Sequence, residues 1–231
     1  MHASCLAKPA CRARFGVTEF TFADATTSSF DDVMNIRMIL FDIGKVLVEL
    51  ADASLILNLS RKVFSDDYFW RTWPDVQGVI DFETGRADAG TFSESVIDFY
   101  DLHVSVEEFI HVFRTGAKRK YEGVDEFLTR LSRSHDIACL TNTNSIHWPR
   151  IRDEFGLGRL FLKSYVSYEI GLRKPDPNIF RYVLDDTGFQ ANEILFVEDN
   201  AHHIQCAESI GFRCCHVKDF KDAKIKIENA V

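Results

Sequence analysis

Short apolar runs recur along this chain. Each ends in polar residues, and stretches with a helical period separate them. Met38-Ile39-Leu40-Phe41 stops at Asp42. Residues 123–133 place Val124, Phe127, Leu128 and Leu131 on one face of a helix, the spacing of an amphipathic stripe. A second apolar strand over 137–140 ends at Thr141-Asn142, and Tyr165-Val166-Ser167 reads as a weaker third. Asp176-Pro177 starts a helix with a cap and a first-turn proline, and Gly188 stops it. Ile179, Phe180, Val183 and Leu184 form its apolar face. A strand over 194–197 ends at Glu198-Asp199, a helix follows to Gly211, and a last strand lies around 214–217.

Strands and helices alternating in this way predict an α/β fold, a parallel sheet with helices on both faces. Residues 50–118 break the alternation. They carry many aromatics and helix-like stretches such as 106–113, with no clear strand. The expectation is a core formed by 35–49 and 119–231, with an all-helical cap inserted at 50–118. Residues 1–34 differ from both, with scattered basic residues, small residues and no apolar secretory segment. They are expected to be a poorly ordered extension, with Met34 or Met38 a plausible alternative start.

The chain has 231 residues, 46% of them apolar and 20 of them Phe, enough for a substantial core. A net charge of -8 argues against nucleic acid or an anionic membrane as the main partner. No apolar run is long enough to span a bilayer. The six cysteines lack zinc-site spacing and disulfide-scaffold density, which suits a reducing cytoplasm. Cys214 and Cys215 are expected on opposite faces of a strand. Nothing in the pattern fixes an oligomeric state.

In open parallel sheets, ligands bind beyond the carboxyl ends of the strands. The residues at those ends are Asp42, Thr141-Asn142 and Glu198-Asp199, and Lys174 falls on the loop after the third strand. Carboxylates, a hydroxyl-amide pair and one lysine are the groups that phosphoryl transfer through an aspartyl-phosphate needs.

Four segments carry a specific resemblance. They are Phe41-Asp42-Ile43-Gly44-Lys45-Val46-Leu47, Leu140-Thr141-Asn142-Thr143-Asn144, Gly171-Leu172-Arg173-Lys174-Pro175-Asp176-Pro177 and Phe196-Val197-Glu198-Asp199-Asn200. In order and spacing they resemble the four motifs of the haloacid dehalogenase (HAD) superfamily, over about residues 37–218. The nearest branch resembles the α-D-glucose-1-phosphate phosphatase-like group. The resemblance implies a Rossmann-like HAD core, Mg2+ as cofactor and a small phosphorylated metabolite as substrate. It also implies a role for each residue. Asp42 is the nucleophile and a metal ligand, and the Gly44 carbonyl is a second ligand. Thr141 and Asn142 hold phosphoryl oxygens. Lys174 orients Asp42 and offsets phosphoryl charge. Asp199 binds metal with support from Glu198.

One position departs from the family pattern. Most HAD phosphatases carry a second Asp two residues after the nucleophile, which serves as general acid and base. Gly44 stands there and can do neither. General acid help contributes roughly 10²- to 10⁴-fold, so good leaving groups such as a sugar 1-phosphate fit. Rival readings are a 2-haloacid dehalogenase, which needs no metal, and a catalytically dead binding domain, to which Gly44 and Lys45 point. His202 and His203 lie roughly 100° apart on a helix and should not grip one ion together; the resemblance, in which related enzymes often carry Asn or Asp at the position of His203, implies that His203 supports the metal site. Tyr68, Trp70 and Trp73 are expected mainly as core of the helical segment.

Overall fold

The computed structural model describes residues 36–231. The extension expected over 1–34, with Cys5 and Cys11, lies outside the described residues. In chain order the elements begin with β1 (Met38–Phe41) and β2 (Val48–Leu50). Five helices follow: α1 (Ser54–Leu57), α2 (Asp66–Thr72), α3 (Gln77–Glu83), α4 (Ala89–Tyr100) and α5 (Val106–Arg114). Then come β3 (Ala117–Lys120), α6 (Val124–Leu131), β4 (Asp136–Thr141), α7 (His147–Pro149), β5 (Lys163–Val166), α8 (Ser167–Ile170) and α9 (Pro177–Thr187). The chain closes with β6 (Ile194–Glu198), α10 (Ala201–Ile210), β7 (Arg213–His216) and α11 (Phe220–Glu228).

The main sheet has five strands in the order β5-β4-β1-β6-β7, and every pairing is parallel. All four β1 side chains are buried, as a central strand covered on both faces requires. Alternation along the strands divides the core in two. Ile39, Phe41, Ile137, Cys139 and Val197 face α6 and α11 through Phe127, Leu128, Phe220 and Ile227. Met38, Leu40, Ala138, Leu140 and Phe196 face α9 and α10 through Ile179, Phe180, Val183 and Ile204. Each fully buried Leu, Ile or Phe stabilises the fold by about 1.5–3 kcal/mol. Cys215 joins the first face and Cys214 the second, so the vicinal thiols point apart as expected.

The register makes β1, β4 and β6 run out together. Phe41 sits beside both Cys139 and Val197, so Asp42, Thr141 and Glu198 emerge at one end of the sheet. The helix that should follow the third motif forms as read. Asp176 accepts from Asn178 N–H, Pro177 fills the first turn, and Gly188 ends it with a left-handed φ of 68°.

Residues 54–114 are helical and bury their own cluster, centred on Phe82, Phe92, Val96, Tyr100 and Phe109. Two strands were not expected there. β2 and β3 pair antiparallel where the chain leaves and re-enters the sheet domain. β3 has the sequence Ala-Lys-Arg-Lys with only Ala117 fully buried. Its extended form is held by pairing with β2, where Glu49 accepts from Arg119 at 2.9 Å and Lys118 at 3.4 Å. α11 has no clear signature in the sequence, because its buried Phe220, Ala223 and Ile227 are interspersed with lysines. α8 separates β5 from the Lys174 loop. Gly85 touches it closely: a Cβ there would stand 2.3 Å from the Tyr168 carbonyl, and its φ is 70°. Only glycine meets both conditions.

Candidate active site

Asp42 is the first residue beyond β1. Its backbone N–H donates to the Val197 carbonyl at 2.9 Å, which continues the β1–β6 ladder and fixes the carboxylate at the sheet end. Lys174 comes to it from a distant loop and is only 1% exposed. Its ammonium donates to Asp42 Oδ1 at 2.7 Å, to Glu198 Oε2 at 2.6 Å and to the Leu140 carbonyl at 2.8 Å. Three donors meet three acceptors, so the buried charge is fully satisfied.

Asn142 holds Lys174 in place. Its amide donates to the Lys174 carbonyl and accepts from the Lys174 N–H, both at 2.8 Å. The Asn142 side chain expected to contact a phosphoryl group is therefore engaged with the backbone of Lys174. Ser167 steadies the same loop, exchanging two 3.0 Å hydrogen bonds with the Thr143 backbone. Nothing in the sequence pattern pointed to Ser167.

Glu198 is enclosed on both oxygens. Oε2 takes Lys174 and lies 3.0 Å from His203 Nδ1, while Oε1 accepts from the backbone N–H groups of Asp199 and Asn200. Those amides open α10, where a helix N-terminus favours negative charge. His203 thus stands behind the acidic group, and His202, one residue away, is exposed. Asp199 is paired with Lys45, Nζ to Oδ2 at 3.4 Å. Lys45 has a left-handed φ of 58°, and its ammonium sits 5.3 Å from the centre of the Trp70 ring.

The electrostatics are uneven. Burial and the neighbouring charge of Glu198 push Asp42 up to about 7 despite Lys174. Burial works against Glu198 too, but the Lys174 charge prevails and holds it at about 2. Burial and Glu198 raise Asp199. Lys174 is buried, yet Asp42 and Glu198 keep it above the ordinary lysine value. Three carboxylates thus share one buried lysine and one half-exposed one. Asp42, Glu198 and Asp199 present oxygens within 4.8 Å of one another. An all-oxygen donor set with surplus negative charge fits a hard divalent cation such as magnesium.

A cavity of about 170 Å³ adjoins this cluster. Gly44, Thr141 and Asn142 line it from the sheet domain, and Leu55, Trp70 and Trp73 line it from the helical segment. Tyr68 and Trp73 also pack against the helical core, whereas Trp70 is 43% exposed. The two tryptophans are therefore wall as well as packing. The Gly44 carbonyl already accepts from Val46 N–H at 2.6 Å and has one lone pair left. Glu83, the last residue of α3, lines the cavity too. It accepts from Arg173 at 2.9 Å, and Arg173 also donates to the Pro74 carbonyl at 2.7 Å. Burial lifts Glu83 to about 7 against the pull of Arg173. Glu83 has no signature in the sequence; only the folding of α3 against the sheet domain brings it here.

Comparison with known proteins places this geometry in context. Residues 39–217 match the family model for haloacid dehalogenase-like hydrolases. D-ribitol-5-phosphate phosphatase from Bacteroides thetaiotaomicron is 27% identical over 193 residues, covering 77% of this chain and 89% of that protein. Drimenol cyclase drtB from Aspergillus calidoustus is 42% identical over 190 residues, covering 80% of this chain but 35% of that protein. The chain thus spans about a third of the cyclase's length. A HAD family enzyme of B. thetaiotaomicron, solved with magnesium and inorganic phosphate, superposes with a TM-score of 0.65 at 23% identity, covering 79% of this chain and 94% of that one. Within the described residues, no helix is long and apolar enough to cross a membrane.

Proposed function

The chain belongs to the haloacid dehalogenase-like hydrolases, and we propose that it is a magnesium-dependent phosphatase that cleaves a small phosphate monoester through a phospho-Asp42 intermediate. One observation carries this reading: Lys174 bridges Asp42 and Glu198 at 2.7 and 2.6 Å while Asp199 completes a compact acidic group. Phosphatases among the chain's relatives support the reaction class. The solved relative that holds magnesium and phosphate supports the cofactor.

Asp42, Asp199 and the free lone pair of the Gly44 carbonyl would hold the magnesium, with Glu198 fixed behind them by Lys174 and His203. The ion supplies positive charge that offsets the phosphoryl oxygens and keeps Asp42 ionised. The unbonded carboxylate oxygen of Asp42 attacks phosphorus, forming an acyl phosphate as the bond from phosphorus to the leaving oxygen breaks. The Thr141 hydroxyl and the backbone at Asn142 orient the phosphoryl group, and Lys174 offsets its charge. Water then attacks phosphorus and releases inorganic phosphate and the Asp42 carboxylate.

The leaving oxygen needs a proton, and Gly44 has none to give. Glu83 is the carboxyl that α3 places in the cavity, and burial raises its pKa to about 7, toward the range of a general acid. It gives that proton to the leaving alcohol and recovers one from the attacking water. The helical segment on this reading is a cap that completes the catalytic set. With Glu83 in that role, the restriction to good leaving groups such as sugar 1-phosphates is lifted. The acidic trio argues against the dehalogenase alternative, because it would repel a substrate carboxylate. Hydrolysis of an aryl phosphate with magnesium, lost on chelation, tests the proposal; turnover that survives chelation contradicts it.

A further inference from the structure

We infer that the substrate is the phosphate ester of a compact apolar alcohol rather than of a sugar or polyol. The inference rests on the phosphatase reading above and specifies what the cavity beside Asp42 accepts. Beyond its phosphoryl end, most of the wall is apolar: Leu50, Leu55, Ile56, Trp70, Trp73 and Phe113 all line it. The helical segment and the β2 edge contribute these side chains, so the apolar wall faces the body of a substrate whose phosphate lies at Thr141 and Gly44.

Several of the polar side chains in the wall are engaged within the protein. The Asn142 amide is bonded to the Lys174 backbone on both sides. Asn144 Oδ1 accepts from the N–H groups of Ile146 and His147. His147 Nε2 is held 2.7 Å from the Phe113 carbonyl, and burial pushes the ring down to about 4, so it stays neutral. Glu83 is bonded to Arg173 through Oε2, and its Oε1 is kept for the leaving oxygen. Asp52 is the remaining carboxylate in the lining, and it is exposed. Few side chains are left here to pair all the hydroxyls of a sugar body, and each hydroxyl buried without a partner costs about 1–3 kcal/mol. A hydrocarbon body meets no such cost and gains from every methylene it removes from water.

Size narrows the class. The cavity measures about 170 Å³, and an apolar cavity of about 150 Å³ accommodates benzene. The phosphoryl group shares this space, so the fit is a compact body on the order of six carbons or fewer. Larger bodies require the wall around half-exposed Trp70 to open.

The test is a series of alkyl phosphates of increasing chain length, set against glucose 1-phosphate and carbon-matched polyol phosphates, with kcat/KM measured in magnesium. Alongside it, calorimetry measures the binding of the corresponding alkylphosphonates, which cannot be hydrolysed. The expected result is a rise of about fourfold in kcat/KM and in phosphonate affinity per added methylene until the cavity is full. The apolar esters should exceed the sugar and polyol phosphates by about 10²-fold or more. Affinity that is flat with chain length, or a preference for the sugar or polyol phosphate, overturns the inference and leaves the phosphatase reading standing. Phosphonates that bind with the expected slope while no ester is cleaved would retain the apolar pocket and refute the phosphatase reading.

Discussion

The Lys174 ammonium donates to Asp42 Oδ1 at 2.7 Å although 132 residues separate them in sequence. The same nitrogen holds Glu198, so one buried charge sets the position of two strand-end carboxylates. Without it, Asp42 and Glu198 would face each other with no lysine charge between them.

Lys174→Met should therefore abolish turnover and destabilise the protein by about 3–5 kcal/mol, as removal of one partner from a buried ion pair does. Loss should be smaller at about pH 5 than at about pH 8, because protonating one stranded carboxylate relieves the repulsion. Urea denaturation at the two pH values checks this. An equal loss at both would mean that the lysine acts by packing alone.

Glu83 gives a pH signature with a definite sign. Its folded-state pKa is raised to about 7 from 4.5. Between those values the folded protein holds a proton that the unfolded chain has released, so Glu83 makes stability fall as pH rises through that window. Glu83→Gln should flatten this slope relative to the parent, read by thermal denaturation in magnesium. In activity, the variant should lose about 10²-fold or more on alkyl phosphates and much less on aryl phosphates, whose leaving groups need no proton. Equal losses on both would show that Glu83 only positions Arg173.

Gly44→Asp tests the same proton from the other side. Gly44 is not left-handed, so its backbone angles do not forbid a side chain. Space is the constraint: a Cβ would lie 3.0 Å from Leu50 Cδ1, the tip of a movable side chain. Introduced into Glu83→Gln, Gly44→Asp should restore alkyl phosphate turnover by about tenfold or more. No recovery in a protein with unchanged stability would count against proton supply as the missing function.

Lys45 is held left-handed, where a side chain costs roughly 1 kcal/mol, and its ammonium leans on Asp199. Lys45→Gly should relieve the backbone and free Asp199. Calorimetry should then show magnesium binding several-fold tighter. Weaker binding would mean that Lys45 does not compete for the carboxylate.

Much of this architecture was legible in the chain. Strands such as Met38-Ile39-Leu40-Phe41 are apolar on both faces, and only a parallel sheet buries them. Their polar ends then name Asp42, Thr141 and Glu198, and all five strands of the main sheet were read. What escaped depends on tertiary contact. β3 has one fully buried residue in four and is extended only because β2 lies beside it. Asn142 sits where a ligand contact is expected, but its amide binds Lys174, and no local pattern reveals that partner. Glu83 ends an ordinary helix 41 positions after Asp42, and its role follows from where α3 docks.

The central claim is that Asp42 carries the phosphoryl group. Rapid acid quench during turnover of an aryl phosphate, followed by peptide mass spectrometry, tests it most directly. The account predicts a phosphorylated, hydroxylamine-labile Asp42 in the parent and none in Asp42→Asn, which should fold normally and turn over nothing. Undiminished turnover in Asp42→Asn, or a phosphoryl group trapped on another residue, would contradict it.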